Sequence, residues 1–491
     1  MRKRLFAVSV IIWLTLLSMS VSAADRYIRT GATGSNNGDD WTNAYTSLPS
    51  AYTRGDTYYI ASGTYNGNWS INSPESGSTW TYIRKATVAG HGTGEGWNDS
   101  YAAGQAVING SLAINNSYIE VDGVTGSGNS GHGIKVNHST CANDGNVIHL
   151  ETGKSHIHLH HVEARGSGFD YGATGCDGLY QNNQIAAGDV YVSYSWIHEV
   201  TRNGVTLGNH QGTGWSDASL GFLFENNRLE RTGGCTDPDI HGQGVQAGYA
   251  TTQSYHVYRN NVFIDILGSG NIVYLDNTTN SNILIYNNIF TSNNRPTYWS
   301  SPGVIWTHSL GSTMTGMGIY NNTFYNLRLA QIQIWPDGNN ESRNNLWINC
   351  DFTSGHTGVL SQYNAYYGNV GAGVPSGETG QQNETSMPVV NAAAFDFRLV
   401  DGAKAMNTGA SLSSYFTTDI AGTPRPQGAA WDIGAYEGAY QFIEPSSSGG
   451  GGGSCSISAV GEADRGSRIG IILMMLSPVI VLAARKAVMK G

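Results

Sequence analysis

Two short segments place carboxylates and imidazoles at alternate positions, a spacing suited to metal binding or proton transfer. They are YIEVDG (118–123) and HIHLHH (156–161), and their alternate residues are Glu120, Asp122, His156, His158 and His160. In a β-strand, alternate side chains point to one face. On neighbouring strands these groups could bind a divalent cation, or pair a histidine base with an orienting carboxylate. The alternative is a solvated polar patch without a function.

A second set of alternate positions is rich in aromatic and amide side chains. Its members lie in GIKVN, GLYQN, GVTLG, GVQAG, IVYLD, GVIWT and AQIQIW, and are Lys135, Tyr180, Thr206, Gln246, Tyr274, Trp306 and Gln333. Aromatic rings suit the apolar face of a sugar, and amides suit its hydroxyl groups. The residues that we expect to contact a sugar substrate are Tyr180, Gln246, Tyr274 and Trp306. The alternative is ordinary surface aromatics, because the chain has 27 tyrosines.

The elements that must position both sets are repeated strands. Six segments follow the order apolar, any, apolar, any, Asn-Asn, any, apolar, the first of them weakly, at intervals of 23 to 34 residues. Their paired positions begin at Tyr194, Asn226, Asn260, Asn287, Asn321 and Asn344. This period, combined with two-residue alternation, predicts a solenoid of short stacked strands. Equal positions then form ladders, and we expect the first asparagine of each pair to belong to a hydrogen-bonded ladder at one corner.

The register of the aromatic row depends on glycine. A glycine precedes the strand in five copies, at Gly133, Gly178, Gly204, Gly244 and Gly303. Tyr274 lacks this marker, and its predicted outward direction depends on Val273 and Leu275 both being apolar. A slip of one residue would turn such a side chain inward.

The composition favours strands and turns over helices. The chain of 491 residues has 65 glycines and only 13% charged residues. The net charge of −10 excludes a nucleic-acid-binding protein, which would need clustered Lys and Arg. The central region is long enough to bury a large core, and we expect a monomer.

Both ends of the chain carry export features. Residues 1–23 resemble a signal peptide, with Arg2, Lys3 and Arg4 before a short apolar run; the alternative is a retained anchor. Near the other end, a Ser/Gly-rich linker (439–454) precedes an apolar stretch and a basic tail within residues 455–491. That region resembles either a cleaved glycine-rich sorting signal, with Cys455 at the processing site, or a plain membrane anchor. Either alternative predicts an exported body, at the cell surface or facing the periplasm, that is tethered to a membrane.

The Asn-Asn coils resemble the pectate-lyase-like superfamily of right-handed parallel β-helix proteins. The segment 26–67 is similar to the N-terminal cap of bacterial members, and 395–437 resembles a C-terminal module of secreted β-helix proteins. The resemblance implies an all-β, single-stranded right-handed parallel β-helix with a cap and a small C-terminal module. The expected divisions are 24–110 for the cap and first coils, 111–385 for the repeats and 386–438 for the module. Enzymes and non-catalytic adhesins share this scaffold.

Within that superfamily, the residues favour an acidic polysaccharide as partner and β-elimination as the reaction. A lyase needs a group that neutralises the uronate carboxylate, commonly Ca²⁺ held by Asp or Glu, and a base that removes the adjacent proton. We expect Lys135 as the base, with His158 and His160 as the alternatives. The expected acidic metal ligands are Glu120, Asp122, Asp170 and Asp177.

Two other functions remain open on sequence grounds. The segment GHGIK (131–135) is similar to motifs of polygalacturonase-type hydrolases, but here the motifs are fused and no paired aspartate precedes them on an earlier coil. A hydrolase is therefore disfavoured. A non-catalytic surface adhesin or matrix protein would use the same scaffold and differ only in having its polar residues scattered around the helix.

The cysteines of the exported part predict a disulfide. Cys176 and Cys235 both lie in loops that precede strands of the aromatic row, two coils apart. We expect them to pair, although two coils span about 10 Å before the reach of the loops is counted. Cys141 with Cys176 is the alternative.

Overall fold

The computed structural model describes residues 23–438, apart from 75–76, 143–144, 169–174, 182–184, 234–241, 249–250, 276–277, 294–302, 308–310 and 336–337. The predicted signal peptide up to residue 22, the Ser/Gly-rich linker and the C-terminal segment with Cys455 lie outside the described residues. No helix within the described ranges is long and apolar enough to cross a membrane.

Each coil of the chain contributes short strands to three parallel sheets, as in Val190–Ser193, Trp196–Val200 and Val205–Leu207. The next coil repeats them at Phe222–Glu225, Arg228–Thr232 and Val245–Ala247. Alternate residues of most strands are apolar and buried, so such a strand is stable only when its inner face meets the other two sheets. The predicted parallel β-helix is confirmed by this topology.

The strands divide among three parallel sheets. Sheet 1 contains Asp25–Ile28, Thr57–Ile60, Thr81–Lys85, Ile119–Asp122, Ile157–His160, Val190–Ser193, Phe222–Glu225, Thr252–Arg259, Thr279–Tyr286, Thr313–Tyr320, Glu341–Arg343 and Leu360–Gln362. Sheet 2 contains Gly63–Asn66, Ala106–Asn109, Ile134–Asn137, Val162–Arg165, Trp196–Val200, Arg228–Thr232, Val262–Ile266, Ile289–Thr291, Thr323–Tyr325, Leu346–Ile348, Ala365–Tyr367 and Gln382–Asn383. Sheet 3 contains Trp69–Ile71, Leu112–Ile114, Gly145–Leu150, Cys176–Gln181, Val205–Leu207, Val245–Ala247, Ile272–Tyr274, Ile305–Thr307 and Ile332–Gln333. Short 3-10 helices span Asp99–Ala102, Asp217–Ser219 and Ala392–Ala394, and Val389–Asn391 pairs antiparallel with Asp396–Leu399.

The core is a set of side-chain columns that run along the helix axis. One column on sheet 2 stacks Phe263, Phe290, Phe324 and Trp347, with successive ring centroids 4.7, 4.9 and 3.8 Å apart. All four rings are fully buried. Burying one large apolar side chain stabilises a fold by about 1.5–3 kcal/mol. Because successive coils each bury such a side chain, their contributions to stability add along the helix.

The two asparagines of each pair have different roles at the corner between sheets 1 and 2. The first has a left-handed backbone, with φ between 50° and 58° at Asn226, Asn260, Asn287, Asn321 and Asn344. The second forms the hydrogen-bonded ladder: the N–H of Asn227 donates to Oδ1 of Asn261 (2.9 Å), and the N–H of Asn261 donates to Oδ1 of Asn288 (2.9 Å). The same pattern continues through Asn322, Asn345 and Asn364.

The sequence therefore predicted the corner but assigned the ladder to the wrong member of the pair. A left-handed residue turns its side chain away from the coil interior, while the next residue points inward and must satisfy its own amide there. Three of the outward asparagines instead donate to backbone carbonyls of the C-terminal module (386–438): Asn287 to Thr418, Asn321 to Asp432 and Asn344 to Ala410, each at 2.8 Å.

The disulfide joins Cys141 to Cys176, with their Cα atoms 5.6 Å apart. The preferred prediction of Cys176 with Cys235 is wrong, because Cys176 is already bonded, and Cys235 lies outside the described residues. Cys141 precedes the strand Gly145–Leu150, which pairs directly with Cys176–Gln181. Adjacent coils bring Cα atoms within disulfide range without any loop folding back.

Candidate functional site

Lys135 does not belong to the aromatic row. Its strand, Ile134–Asn137, lies in sheet 2 between Ala106–Asn109 and Val162–Arg165. The sequence predicted that Lys135 lies beside Tyr180, because GIKVN has the glycine-first pattern of the sheet 3 strands. Residues 123–133 are an insertion at the corner between sheets 1 and 2, so the glycine before this strand marks a different position in the coil.

The Lys135 amine points at a carboxylate on the next coil. Nζ lies 2.6 Å from Oε1 of Glu163, which is only 6% exposed. His198 Nε2 lies 3.3 Å from the same oxygen, and Gln105 Nε2 donates to Oε2 at 2.9 Å. Burial alone would raise the pKa of Glu163, but the hydrogen bonds from His198, Gln105 and Lys135 lower that pKa to about 2. The group is a charged network at the surface of sheet 2.

Sheet 3 carries the aromatic row over part of its length. Backbone pairing places Tyr180, Thr206, Gln246, Val273, Trp306 and Gln333 at successive outer positions. Tyr180 stacks against His149 of the previous coil, with ring centroids 5.8 Å apart. Gln246 accepts a hydrogen bond from Nδ2 of Asn203 (3.0 Å), so part of its amide is already in use.

Two of the four residues expected to contact a sugar are not available to a ligand. Tyr274 points inward and is fully buried, because Ile272 pairs with Val245 and shifts the outer position to Val273. Four consecutive apolar residues, 272–275, left both registers possible in the sequence. Trp306 does occupy an outer position but is 5% exposed, packs with Val273 and Leu275, and donates from Nε1 to the carbonyl of Ser269 (2.7 Å).

The predicted acidic ligands do not converge. Asp177 lies on sheet 3, is fully buried and is held by Arg202, whose Nε donates to Oδ1 at 2.9 Å. Burial raises the pKa of Asp177, although the hydrogen bond and charge of Arg202 oppose that shift. Asp170 lies outside the described residues. Glu120 and Asp122 lie together on sheet 1, so Asp177 does not share a sheet with these two carboxylates.

The segments with alternating carboxylates and imidazoles are neighbours in sheet 1, as predicted. Ile157–His160 pairs with Ile119–Asp122 on one side and with Val190–Ser193 on the other. The register places His158 beside Glu120 and His160 beside Asp122. Ile119, Val121, Ile157 and Leu159 fill the core, which turns the polar residues between them outward.

Each carboxylate and imidazole of this cluster has at least one defined partner. Arg84 Nη2 donates to Oε1 of Glu120 at 3.0 Å. His156 Nδ1 and His158 Nε2 lie 2.6 and 3.0 Å from the two oxygens of Asp189. The remaining pairs are His160 Nδ1 with Ser193 Oγ (2.6 Å) and His161 Nδ1 with Asp122 Oδ1 (2.8 Å). The cluster is an ordered constellation of side chains.

Burial and hydrogen bonds set the charges of two side chains in this cluster, His160 and Asp122. Burial lowers the pKa of His160 to about 4, so this imidazole is neutral at neutral pH. Burial alone would raise the pKa of Asp122, but hydrogen bonds from His161 and from the N–H of Val124 lower it. A carboxylate oxygen of Glu120 and one ring nitrogen each of His158 and His160 lie within 4.8 Å of one another, a geometry able to hold a metal ion.

Aromatic rings surround the cluster, and of these Tyr191 follows from the same alternation on the next strand. Trp80 lies against His158 with centroids 4.5 Å apart, Tyr118 stacks on His156 at 4.3 Å, and Tyr191 meets His160 edge-on at 4.8 Å. The Arg84 guanidinium, 42% exposed as a side chain, lies 4.9 Å from the Tyr82 ring centre. The alternation in TYIRK (81–85) could have revealed Tyr82 and Arg84. Asp189, just before a strand, carries no such signal.

The outer side of sheet 1 is uncovered in these early coils. In the middle coils, its apolar outer residues Leu223, Val257, Leu284, Tyr286 and Tyr320 pack with Leu412, Phe416 and Trp431 of the C-terminal module, beside the charged outer residues Glu225 and Arg259. The outer residue Leu360 of the last strand is exposed again. We call the outer side of the strands from Thr81–Lys85 to Val190–Ser193 the open face. Its ligand-accessible groups are Tyr82, Arg84, Glu120, His158, His160 and Tyr191.

Comparison with known proteins agrees with this architecture. No protein-family model matches the chain, and neither does any curated protein sequence. Among solved structures, pectate lyase Pel9A is 14% identical, with 84% of this chain and 97% of that one covered at a TM-score of 0.53. The structures of XylC in complex with xylose (8% identity, 84% and 98% covered, TM-score 0.41) and of the alginate lyase AlyGC (14% identity, 86% and 60% covered, TM-score 0.31) also match. The chain has the right-handed parallel β-helix fold of pectate lyase.

Proposed function

We propose that this protein binds an acidic, uronate-containing polysaccharide along the open face, outside the cytoplasm. The observation that carries the proposal is the contrast along sheet 1. At one outer position the middle coils carry Leu223, Val257 and Leu284, which the C-terminal module covers. The early coils carry Tyr82, Glu120 and His158 at the same position, beside Arg84 and uncovered by that module. Polar groups that converge on an uncovered surface, backed by rigid strands, are the usual setting of a ligand site.

The chemistry of the open face suits a sugar acid. The rings of Trp80, Tyr82 and Tyr191 offer flat apolar surfaces to the C–H faces of pyranose rings. Arg84, exposed beside Tyr82, can form a charge-assisted hydrogen bond with a uronate carboxylate. A polymer lying across the stacked strands would meet these groups in successive coils, about 4.8 Å apart.

Export is part of the same proposal. The Cys141–Cys176 disulfide supports an oxidising compartment, because such bonds rarely persist in the cytosol. The signal-like N-terminus and the apolar, basic C-terminus are the sequence features that would deliver the protein to the cell surface and hold it there.

If the bound polymer is cleaved, β-elimination is the reaction that we propose. A base removes the proton on the carbon next to the carboxylate, the electron pair forms a carbon–carbon double bond, and the neighbouring glycosidic C–O bond breaks. The oxygen that leaves takes up a proton. His158 is the proposed base, because Lys135 lies on another sheet with its amine on Glu163.

A non-catalytic adhesin or matrix protein is the second candidate, and one observation favours it. The pKa of about 4 makes His160 a weak proton acceptor at neutral pH. Lys135, another of the predicted bases, forms an ion pair with Glu163. Such a protein would bind the same polymer without producing unsaturated ends.

The test uses the purified full chain with polygalacturonate and alginate, and a neutral glucan as control polymer. Binding is measured by calorimetry, and elimination by the ultraviolet absorbance of unsaturated product. Tyr82→Ala should weaken uronate binding by about 1–3 kcal/mol. The matched control is Tyr180→Ala, which removes an equally half-buried tyrosine from sheet 3.

The outcomes separate the alternatives. Uronate binding with unsaturated product supports the lyase, and binding without product supports the adhesin. Equal binding of the neutral glucan, or a larger loss in Tyr180→Ala than in Tyr82→Ala, would overturn the assignment to the open face.

A further inference from the structure

Three side chains of the open face form the donor set of a metal site. Glu120 and His158 are direct neighbours across two strands, and His160 follows His158 by one strand repeat on the same face. Their ligand atoms, one carboxylate oxygen and two imidazole nitrogens, lie within 4.8 Å of one another. Zinc bonds to nitrogen and oxygen are about 2.0–2.2 Å long and so place two ligand atoms no more than about 4.4 Å apart, which means that small side-chain movements would bring all three atoms to one ion.

Each of the three donors is held from its other side. Asp189 Oδ1 lies 3.0 Å from Nε2 of His158, which leaves Nδ1 for a metal. Ser193 Oγ lies 2.6 Å from Nδ1 of His160, which leaves Nε2. Arg84 contacts Oε1 of Glu120 at 3.0 Å, which leaves Oε2. Ligating histidines in metal sites are oriented in this way, with the second ring nitrogen bonded to a carboxylate, a carbonyl or water.

The carboxylate that orients His158 is itself fixed. Asp189 is 9% exposed and has a left-handed backbone with φ of 51°. Its second oxygen lies 2.6 Å from Nδ1 of His156, and that ring stacks on Tyr118. The equivalent residues of the two preceding coils, Tyr118 and His156, are left-handed too, so this backbone belongs to the corner, and the Asp189 side chain there orients two imidazoles.

We propose that Glu120, His158 and His160 bind one divalent transition-metal ion, with zinc as the expected occupant. Two nitrogens and one oxygen match zinc sites that keep an open fourth position. Calcium takes six to eight oxygen ligands, which these residues do not supply. The ion would lie on the face proposed for the polysaccharide, but its binding does not require the polymer. Because it would occupy Nδ1 of His158, that residue could serve as the proposed base only in the metal-free chain.

The experiment titrates the chelator-stripped full chain with Zn²⁺, Co²⁺ and Ca²⁺ in the absence of polysaccharide. Calorimetry gives affinity and stoichiometry, and the visible absorption of Co²⁺ reports ligand geometry. We expect a zinc site that is lost in Glu120→Gln, His158→Gln and His160→Gln. Asp189→Asn should weaken it by about 10–100-fold, because Asp189 acts by positioning His158.

A matched control comes from sheet 3. His149 Nε2 lies 3.9 Å from Glu151, an imidazole–carboxylate pair outside the proposed donor set. His149→Gln should leave zinc affinity unchanged. Thermal unfolding with and without Zn²⁺ checks that each variant is folded, and zinc should raise Tm only where the site is intact.

Three results would overturn the proposal. One is a wild-type chain that binds no zinc, and another is zinc affinity that the three ligand variants leave unchanged. The third is calcium binding in preference to zinc with the same variants affected, which would mean that the imidazoles are not ligands. Loss of uronate binding in Tyr82→Ala with zinc affinity retained would separate the polymer site from the metal site.

Discussion

The early and later coils of sheet 1 have the same backbone but opposite surfaces. At one outer position, Glu120, His158 and Tyr191 of the early coils continue into Leu223, Val257 and Leu284 of the later coils. The later residues lie under Leu412, Phe416 and Trp431 of the C-terminal module, and Tyr191 packs at the edge of that cluster. Glu120 and His158 belong to no apolar cluster of the described residues. The β-helix therefore supplies a uniform frame, and the outward residue decides whether a coil binds its own module or remains open to a ligand.

The corners between sheets 1 and 2 differ in the same way. In the later coils the asparagine ladder closes the corner tightly, and the module docks on the left-handed asparagines beside it. In the early coils, the residues 86–105 and 123–133 form long insertions between strands of sheets 1 and 2, and the side-chain bonds among Asn66, Asn109 and Asn137 lie at the ends of sheet 2 strands instead. Insertions that border one face are a common way to build a site on a solenoid. The comparison leads to four predictions, from the largest effect to the smallest.

Phe416→Ala should destabilise the protein most. The Phe416 ring stacks on Tyr286 with centroids 4.3 Å apart and also meets Trp431, so its removal leaves a cavity between the module and sheet 1. We expect a loss of about 3–5 kcal/mol in the free energy of unfolding, measured by denaturant titration. A loss below about 1 kcal/mol would mean that the module does not stabilise the later coils.

Asn261→Leu should cost about 1–3 kcal/mol, because it leaves the N–H of Asn227 and the carbonyl of Phe224 without their partner. The matched control is Asn260→Gly, since glycine accepts the left-handed backbone at φ 58°. We expect the control to be nearly neutral in the same unfolding experiment. Equal losses in both variants would contradict the division of roles within the pair.

Glu163→Gln should cost about 1–2 kcal/mol at neutral pH and progressively less in acid. The pKa of Glu163 is lowered from 4.5 to about 2 in the folded chain, so its stabilisation is complete above about 4.5 and is lost as pH falls towards 2. Unfolding titrations of wild type and variant from neutral pH downward should therefore converge. A stability difference that stays constant across this range would show that the carboxylate charge is not the cause.

Tyr82→Ala should change the free energy of unfolding by no more than about 0.5 kcal/mol. Tyr82 occupies an outer position of sheet 1, as Tyr286 does, but no module covers it. The same unfolding assay, with Tyr286→Ala as the matched variant in the covered coils, tests this directly. Comparable losses in the two variants would mean that the open face is as structural as the covered one.

The sequence by itself determined the repeated coil and much of its register. Apolar alternation fixes which face of a strand enters the core, because a one-residue slip would bury the polar set. That local rule was sufficient to place His158 beside Glu120 and to orient Tyr180, Thr206 and Gln246 outward. It failed at Tyr274, where consecutive apolar residues satisfy either register.

Only the tertiary structure decided which strands share a sheet and which faces stay uncovered. Lys135 lies in sheet 2 rather than sheet 3, because alternation cannot detect the length of the insertion before its strand. Cys176 bonds to Cys141 on the adjacent coil, a contact that alternation does not specify either. Alternation correctly predicts that Trp306 points out of the coil, but neighbouring residues bury it. Asp189 contacts His158 from a turn on the next coil. Alternation specifies a direction for each side chain, whereas contact between distant coils depends on loop lengths and on the module that folds back over them.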